Sequence, residues 1–186
     1  LIVSKIDYLD LVIGDKNAIM VAARILGYGS DYTFKYEDEE VTVDLSTLES
    51  TYLTEDVMKE PGVNKFEFTC PSTKAVIEFK LLSGKDGKKV ESEVKGLQKI
   101  NKKSSPELST RLKHMILSVD GQTDSKDIRD FVDNYFLARD SRALREYIKS
   151  FQPDVDMTFN FESIGGIDKE VSLPMTVSFF WPDSKL

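Results

Sequence analysis

The sequence predicts an α+β protein in which β-hairpins and amphipathic helices surround one main core. Three observations predict it. Short alternating segments bounded by turn residues recur at Tyr32–Asp44, at Phe66–Leu82 and at Val155–Leu173. Ile128, Phe131, Val132, Tyr135 and Phe136 fall at i, i+3, i+4, i+7 and i+8, the spacing of one helix face. The 186 residues are 40% hydrophobic, enough to bury a core in one domain or in two closely joined halves.

Ser4 and Asp7 resemble a capping box, so a short helix is expected from Lys5 to about Val12, broken by Gly14. Asp15 can cap a second helix with Ala18, Val21, Ala22 and Ile25 on one face, stopped by Gly27 and Gly29. In the first hairpin Tyr32, Phe34 and Tyr36 alternate, the acidic run Glu37–Glu40 turns, and Val41, Val43 and Leu45 return. Residues 46–63 have no strong period, and Pro61–Gly62 signals a turn. Phe66, Phe68 and Cys70 alternate before Pro71–Ser72–Thr73, and Val76–Leu82 returns.

Gly84 and Gly87 mark a loop before a charged helix, Lys88–Asn101, with the apolar stripe Val90, Val94, Leu97 and Ile100. The polar stretch Lys102–Pro106 reads as a hinge. It divides the chain into halves 1–83 and 105–186, joined by the helical segment 84–104. Leu112, His114 and Ile116 alternate with Arg111 and Lys113, which favours a strand ending at Asp120–Gly121 over a helix. Asp124 then caps the clearest helix. Asp140 caps the next, which carries Leu144, Tyr147, Ile148 and Phe151 on one face, with Arg142 and Arg145 projecting from its first turns. Val155, Met157, Phe159 and Phe161 alternate, Gly165–Gly166 loops, and Val171 and Leu173 return before Pro174.

The net charge of −7 argues against nucleic acid and anionic membranes as partners, because both need clustered Lys and Arg. No apolar run is long enough for a transmembrane helix. Asp7, Asp10 and Asp15 interrupt anything resembling a signal peptide. The single cysteine, Cys70, forms no internal disulfide, which points to a reducing compartment during folding.

No enzyme chemistry stands out, and the expectation is a protein without catalytic residues, metal or cofactor. Cys70 and His114, one of each type, read as a buried strand residue and a structural histidine rather than as a dyad. They leave zinc short of ligands. The acids at Glu37–Glu40 and at Asp154 and Asp156 match no calcium loop. Gly84–Lys89 lacks the spacing of a phosphate loop and the Ser or Thr after its Lys. Lys99–Lys103 reads as a solvated face beside Glu91 and Glu93.

The run Phe179–Phe180–Trp181–Pro182 is the sharpest feature. Three consecutive aromatics cannot share one face of a strand. Either they cap the core, or one or two project as anchors for a partner.

Several segments together resemble the base-plate hub protein family of T-even-type contractile-tailed bacteriophages. They are Ala23–Gly29, Val43–Leu48, Phe79–Gly84, Ser118–Gly121 and Ala138–Ile148, then Val171–Pro174 followed by Phe179–Pro182. The closing Leu-Pro and Phe-Phe-Trp-Pro are the most specific pieces. Some members of that family carry Cys pairs in zinc-ribbon-like hairpins. The corresponding positions here, near Glu37–Asp38 and Glu162–Ser163, hold no Cys, so these hairpins lack metal ligands.

The resemblance implies a structural component of the tail base plate, made and assembled in the bacterial host cytoplasm and placed in the virion. It implies multiple copies contacting other tail proteins, with Phe179, Phe180, Trp181, Pro182, Arg142 and Arg145 as candidate interface residues. The rival within the same setting is an assembly chaperone absent from the mature virion. The rival from another class is a cell-wall hydrolase, which needs a carboxylate or Cys–His site that the sequence does not display.

Overall fold

The computed structural model describes residues 5–58, 60, 62–100, 106–162 and 168–181. In chain order the elements begin with helix α1 (Ile13–Tyr28) and strands β1 (Asp31–Tyr36), β2 (Glu39–Asp44) and β3 (Ser50–Thr51). Strands β4 (Phe66–Thr69) and β5 (Val76–Phe79), helices α2 (Gly84–Ile100) and α3 (Glu107–Met115), and strand β6 (Ile116–Val119) follow. Then come α4 (Ser125–Asp130), a π-helical turn at Phe131–Tyr135, and α5 (Ala138–Phe151). The last are β7 (Asp154–Val155), β8 (Thr158–Glu162), β9 (Asp168–Ser172) and the short α6 (Val177–Phe180). Helices beside small antiparallel sheets make this an α+β fold.

The chain forms two compact units, and they do not follow the sequence halves. Unit 1 is discontinuous: it takes Gly14–Thr51 and the chain from Pro153 onward. Unit 2 takes Tyr52–Gln152 with the segment ending at Ile13. Each has its own buried cluster, in place of the one main core expected. Residues 84–100 belong to unit 2 as helix α2 rather than joining two halves, and most of the expected hinge, 102–105, lies outside the described residues.

Unit 1 is built on two hairpins. Strands β1 and β2 pair from Asp31↔Asp44 to Tyr36↔Glu39. The loop between them is Glu37 and Asp38, at φ 47° and 66°. Positive φ at both central residues is the twist that a two-residue hairpin turn needs. Strands β8 and β9 pair from Thr158↔Ser172 to Glu162↔Asp168. Inward alternation on β1 buries Tyr32 and Phe34, and they cluster with Leu45, Val155, Leu173, Phe179 and Val21 of α1. Gly14 does not break a helix as expected; it lies inside α1. A Cβ there would sit 1.7 Å from the Pro153 carbonyl oxygen, so the residue is small because backbone crosses it. Gly29 at φ 85° ends α1, its N–H donating to Ile25 O at 2.9 Å. The buried Arg24 guanidinium closes the same end by donating to the carbonyls of Gly29 (2.9 Å) and Asp31 (3.0 Å).

Unit 2 packs helices against an antiparallel sheet of order β4-β5-β6. Phe66, Ile77, Phe79 and Ile116 from the sheet meet Leu112, Ile128, Leu144, Ile148 and Phe151 from the helices. Three expectations are corrected here. The helix expected over Lys5–Val12 shrinks to a 3-10 turn at Tyr8–Asp10, because Asp7 is itself the cap, accepting from Leu9 N, and Leu11 is already extended. The partner assigned to it, Ser4, is outside the described residues.

The expected strand over 107–119 is helix α3 for most of its length, and only Ile116–Val119 is strand. Leu112 and Ile116 are both buried, and their spacing of four fits a helix turn as well as it fits alternation. Finally, α2 starts at Gly84 rather than Lys88. Ser83 and Asp86 form a reciprocal cap, Ser83 N donating to the carboxylate at 3.1 Å and Asp86 N to the hydroxyl at 3.3 Å. Among the described residues, no helix is long and apolar enough to cross a membrane.

Candidate interaction surface

The C-terminal run is a helical turn rather than a strand. Phe179 N donates to Thr176 O and Trp181 N to Val177 O, each at 3.0 Å. Successive side chains on a helix diverge by about 100°, so the three rings take different environments. Phe179 is fully buried, edge-on to Tyr32 with centroids 4.9 Å apart. The Tyr32 hydroxyl donates to Pro174 O at 2.7 Å and holds the segment before the turn. Phe180 is half-buried against Phe179. Trp181 is 60% exposed and Val177, one turn earlier, 53%.

Phe179 is therefore a core residue and not an anchor, a correction of the sequence expectation. Pro182 lies outside the described residues. The apolar surface that remains is Trp181, Val177 and Met175. Sequence reasoning missed Val177 and Met175 because it took the run as strand; an i, i+4 reading pairs Val177 with Trp181.

Arg142 and Arg145 lie on α5, in unit 2, whereas the aromatic run is in unit 1. The amphipathic pattern of α5 fixes their direction: Leu144, Ile148 and Phe151 are buried, so the arginines face solvent. Arg142 Nε donates to Glu146 Oε1 at 2.8 Å, and Arg145 Nε to Ser141 O at 3.3 Å. With Lys149 and Glu146 they line a shallow concavity of about 270 Å³.

Asp140 is not the cap of α5. It sits in the first turn, fully buried, and its carboxylate reaches the β4–β5 loop. There it accepts from Ser72 N (2.7 Å), Thr73 N (3.0 Å) and Thr73 Oγ1 (2.9 Å). Burial pushes its pKa up, but these donors outweigh burial and hold the carboxyl below its ordinary value.

The residues weighed for chemistry are occupied structurally. Cys70 is fully buried and burial raises its thiol pKa, the opposite of what a nucleophile requires. His114 Nε2 meets Glu93 Oε2 at 2.8 Å, and Arg129 Nη1 donates to Glu93 Oε1 at 2.9 Å, tying α3 and α4 to α2. Burial pushes Asp86 up, but Lys80, at 2.8 Å from both carboxylate oxygens, and Ser83 prevail and lower it. That carboxylate fills the start of α2, where the weak Gly84–Lys89 match would have placed a phosphate. Among the described residues, no cluster of three or more His, Cys, Asp or Glu is arranged to hold a metal ion.

Comparison with protein-family models, with curated proteins and with solved structures finds no match to this chain.

Proposed function

We propose that this chain is a structural component of the base plate of a contractile phage tail, holding its place through protein–protein contacts. One observation carries the reading. The exposed Trp181 lies in the C-terminal run that carries the most specific part of the family resemblance, and exposed Val177 stands one turn before it. A large aromatic presented on a turn that Phe179 anchors in the core costs little conformational entropy when a partner covers it. Arg142 and Arg145, exposed on a helix whose other face is core, supply a second, polar contact. The role is mechanical: the packed core of each unit sets the geometry of surfaces that neighbouring tail proteins meet.

The test is incorporation of Trp181→Ser into assembling tails. The variant is expected to fold with unchanged thermal stability and to enter particles several-fold less than the parent. Equal incorporation of a well-folded variant removes Trp181 as the anchor.

A further inference from the structure

We propose that copies of this chain associate with one another, arginines of α5 on one copy seating in an acidic groove of unit 1 on the next. The groove is a concavity of about 360 Å³ between the two hairpins of unit 1. Val43, Leu48 and Phe159 supply its apolar lining, and Glu49, Asp156 and Glu170 its charge. Among the described residues, no Lys or Arg pairs with these three carboxylates. Thr158 orients two of them: its N–H and hydroxyl donate to Asp156 Oδ1 at 3.0 and 2.7 Å, and the hydroxyl lies 3.2 Å from Glu170 Oε1.

That lining suits one side-chain chemistry better than others. An arginine has a long apolar stem, a weakly hydrated planar head and a donor fork that matches carboxylates. Its stem can lie along Val43 and Leu48 while its guanidinium meets the acids beside an aromatic ring. A lysine offers only a strongly hydrated point charge, and an apolar segment would leave the carboxylates desolvated and unpaired.

The same chain carries the complementary surface. On α5, Arg142, Arg145 and Lys149 surround a single acid, Glu146, in a protein whose net charge is −7. The Arg142 side chain is 76% exposed, and its i,i+4 pair with Glu146 is of the weak, exchangeable kind. Groove and helix face are different surfaces, so each contact joins unlike patches, and copies can close into a reciprocal pair or a ring or extend as a chain. Overall like charge opposes the encounter at low salt. Near ~0.1 M salt the screening length is about 10 Å, so long-range repulsion fades while contact pairs persist. The inference stands without the base-plate reading, because it concerns the purified chain alone.

Sedimentation velocity of the full chain over a range of concentrations tests it. The expected result is concentration-dependent association that weakens at high salt. Arg142→Glu with Arg145→Glu should weaken it about tenfold or more, and Glu49→Lys with Glu170→Lys should do the same. All four positions are exposed, and circular dichroism checks that each variant is folded. Mixing the two reversed variants, or combining all four changes in one chain, should restore association. A monomer at every concentration overturns the proposal. So does association that ignores either reversal, or a failure of the mixture to recover.

Discussion

Asp140 and Glu93 show how single carboxylates hold unit 2 together, and each makes a prediction at the residue scale. Asp140 accepts three hydrogen bonds from the β4–β5 loop while fully buried. Replacing it by Ala strands the Ser72 and Thr73 amides, and the cost should be about 2–3 kcal/mol in urea unfolding. Glu93 is lowered from the ordinary value of 4.5, first by the hydrogen bond from Arg129, against a smaller burial effect, and then by His114. A carboxyl with a depressed folded-state pKa contributes stability that is present above its unfolded value. That contribution is lost as pH falls through the folded one. Unfolding followed between about pH 6 and pH 3 should therefore show a shallower acid decline for Glu93→Gln than for the parent. An identical slope would remove the Glu93 staple from the account of acid stability.

At the scale of elements, the closing turn and α1 carry the predictions. Phe179→Ala should cost about 3–5 kcal/mol, because a fully buried ring leaves a cavity. Trp181→Ala, two residues on and exposed, should stay within about 0.5 kcal/mol. Calorimetry of the two variants side by side separates core from surface in one experiment. Gly14→Ala should destabilise by about 1–3 kcal/mol, because the neighbour its Cβ meets is the Pro153 backbone and not a flexible side-chain end. A Gly14→Ala variant as stable as the parent would show that α1 shifts to make room.

Elements with one period were legible in the sequence: the Tyr32–Asp44 hairpin, the Phe66–Phe79 pair and the buried face of α5 emerge as expected. Segments that satisfied two periods were not. Leu112 and Ile116 fit strand and helix alike, and Phe179–Trp181 was taken as strand where the chain makes a helical turn. The role of Asp140 was hidden for another reason: its partners, Ser72 and Thr73, are 68 and 67 residues away along the chain. A cap read from local spacing cannot report a contact of that range.

Across the whole molecule, the chain leaves unit 1 after Thr51, builds unit 2, and returns at Pro153. The halves expected from the polar stretch near residue 104 missed this, since composition marks exposed segments and not which distant segments pack together. What does pair them is long-range: Ser50 and Thr51 meet Val155 and Asp154 in register. The candidate surface follows the same division, with Trp181 and Val177 on unit 1 and Arg142 and Arg145 on unit 2. The proposed structural role depends on the chain being retained where these surfaces are covered. The most direct measurement is quantitative mass spectrometry of purified, intact tailed particles from cells producing this chain. A fixed copy number per tail is the expected result. Presence in the cell lysate with absence from the particles would contradict it and favour a factor that acts only during assembly.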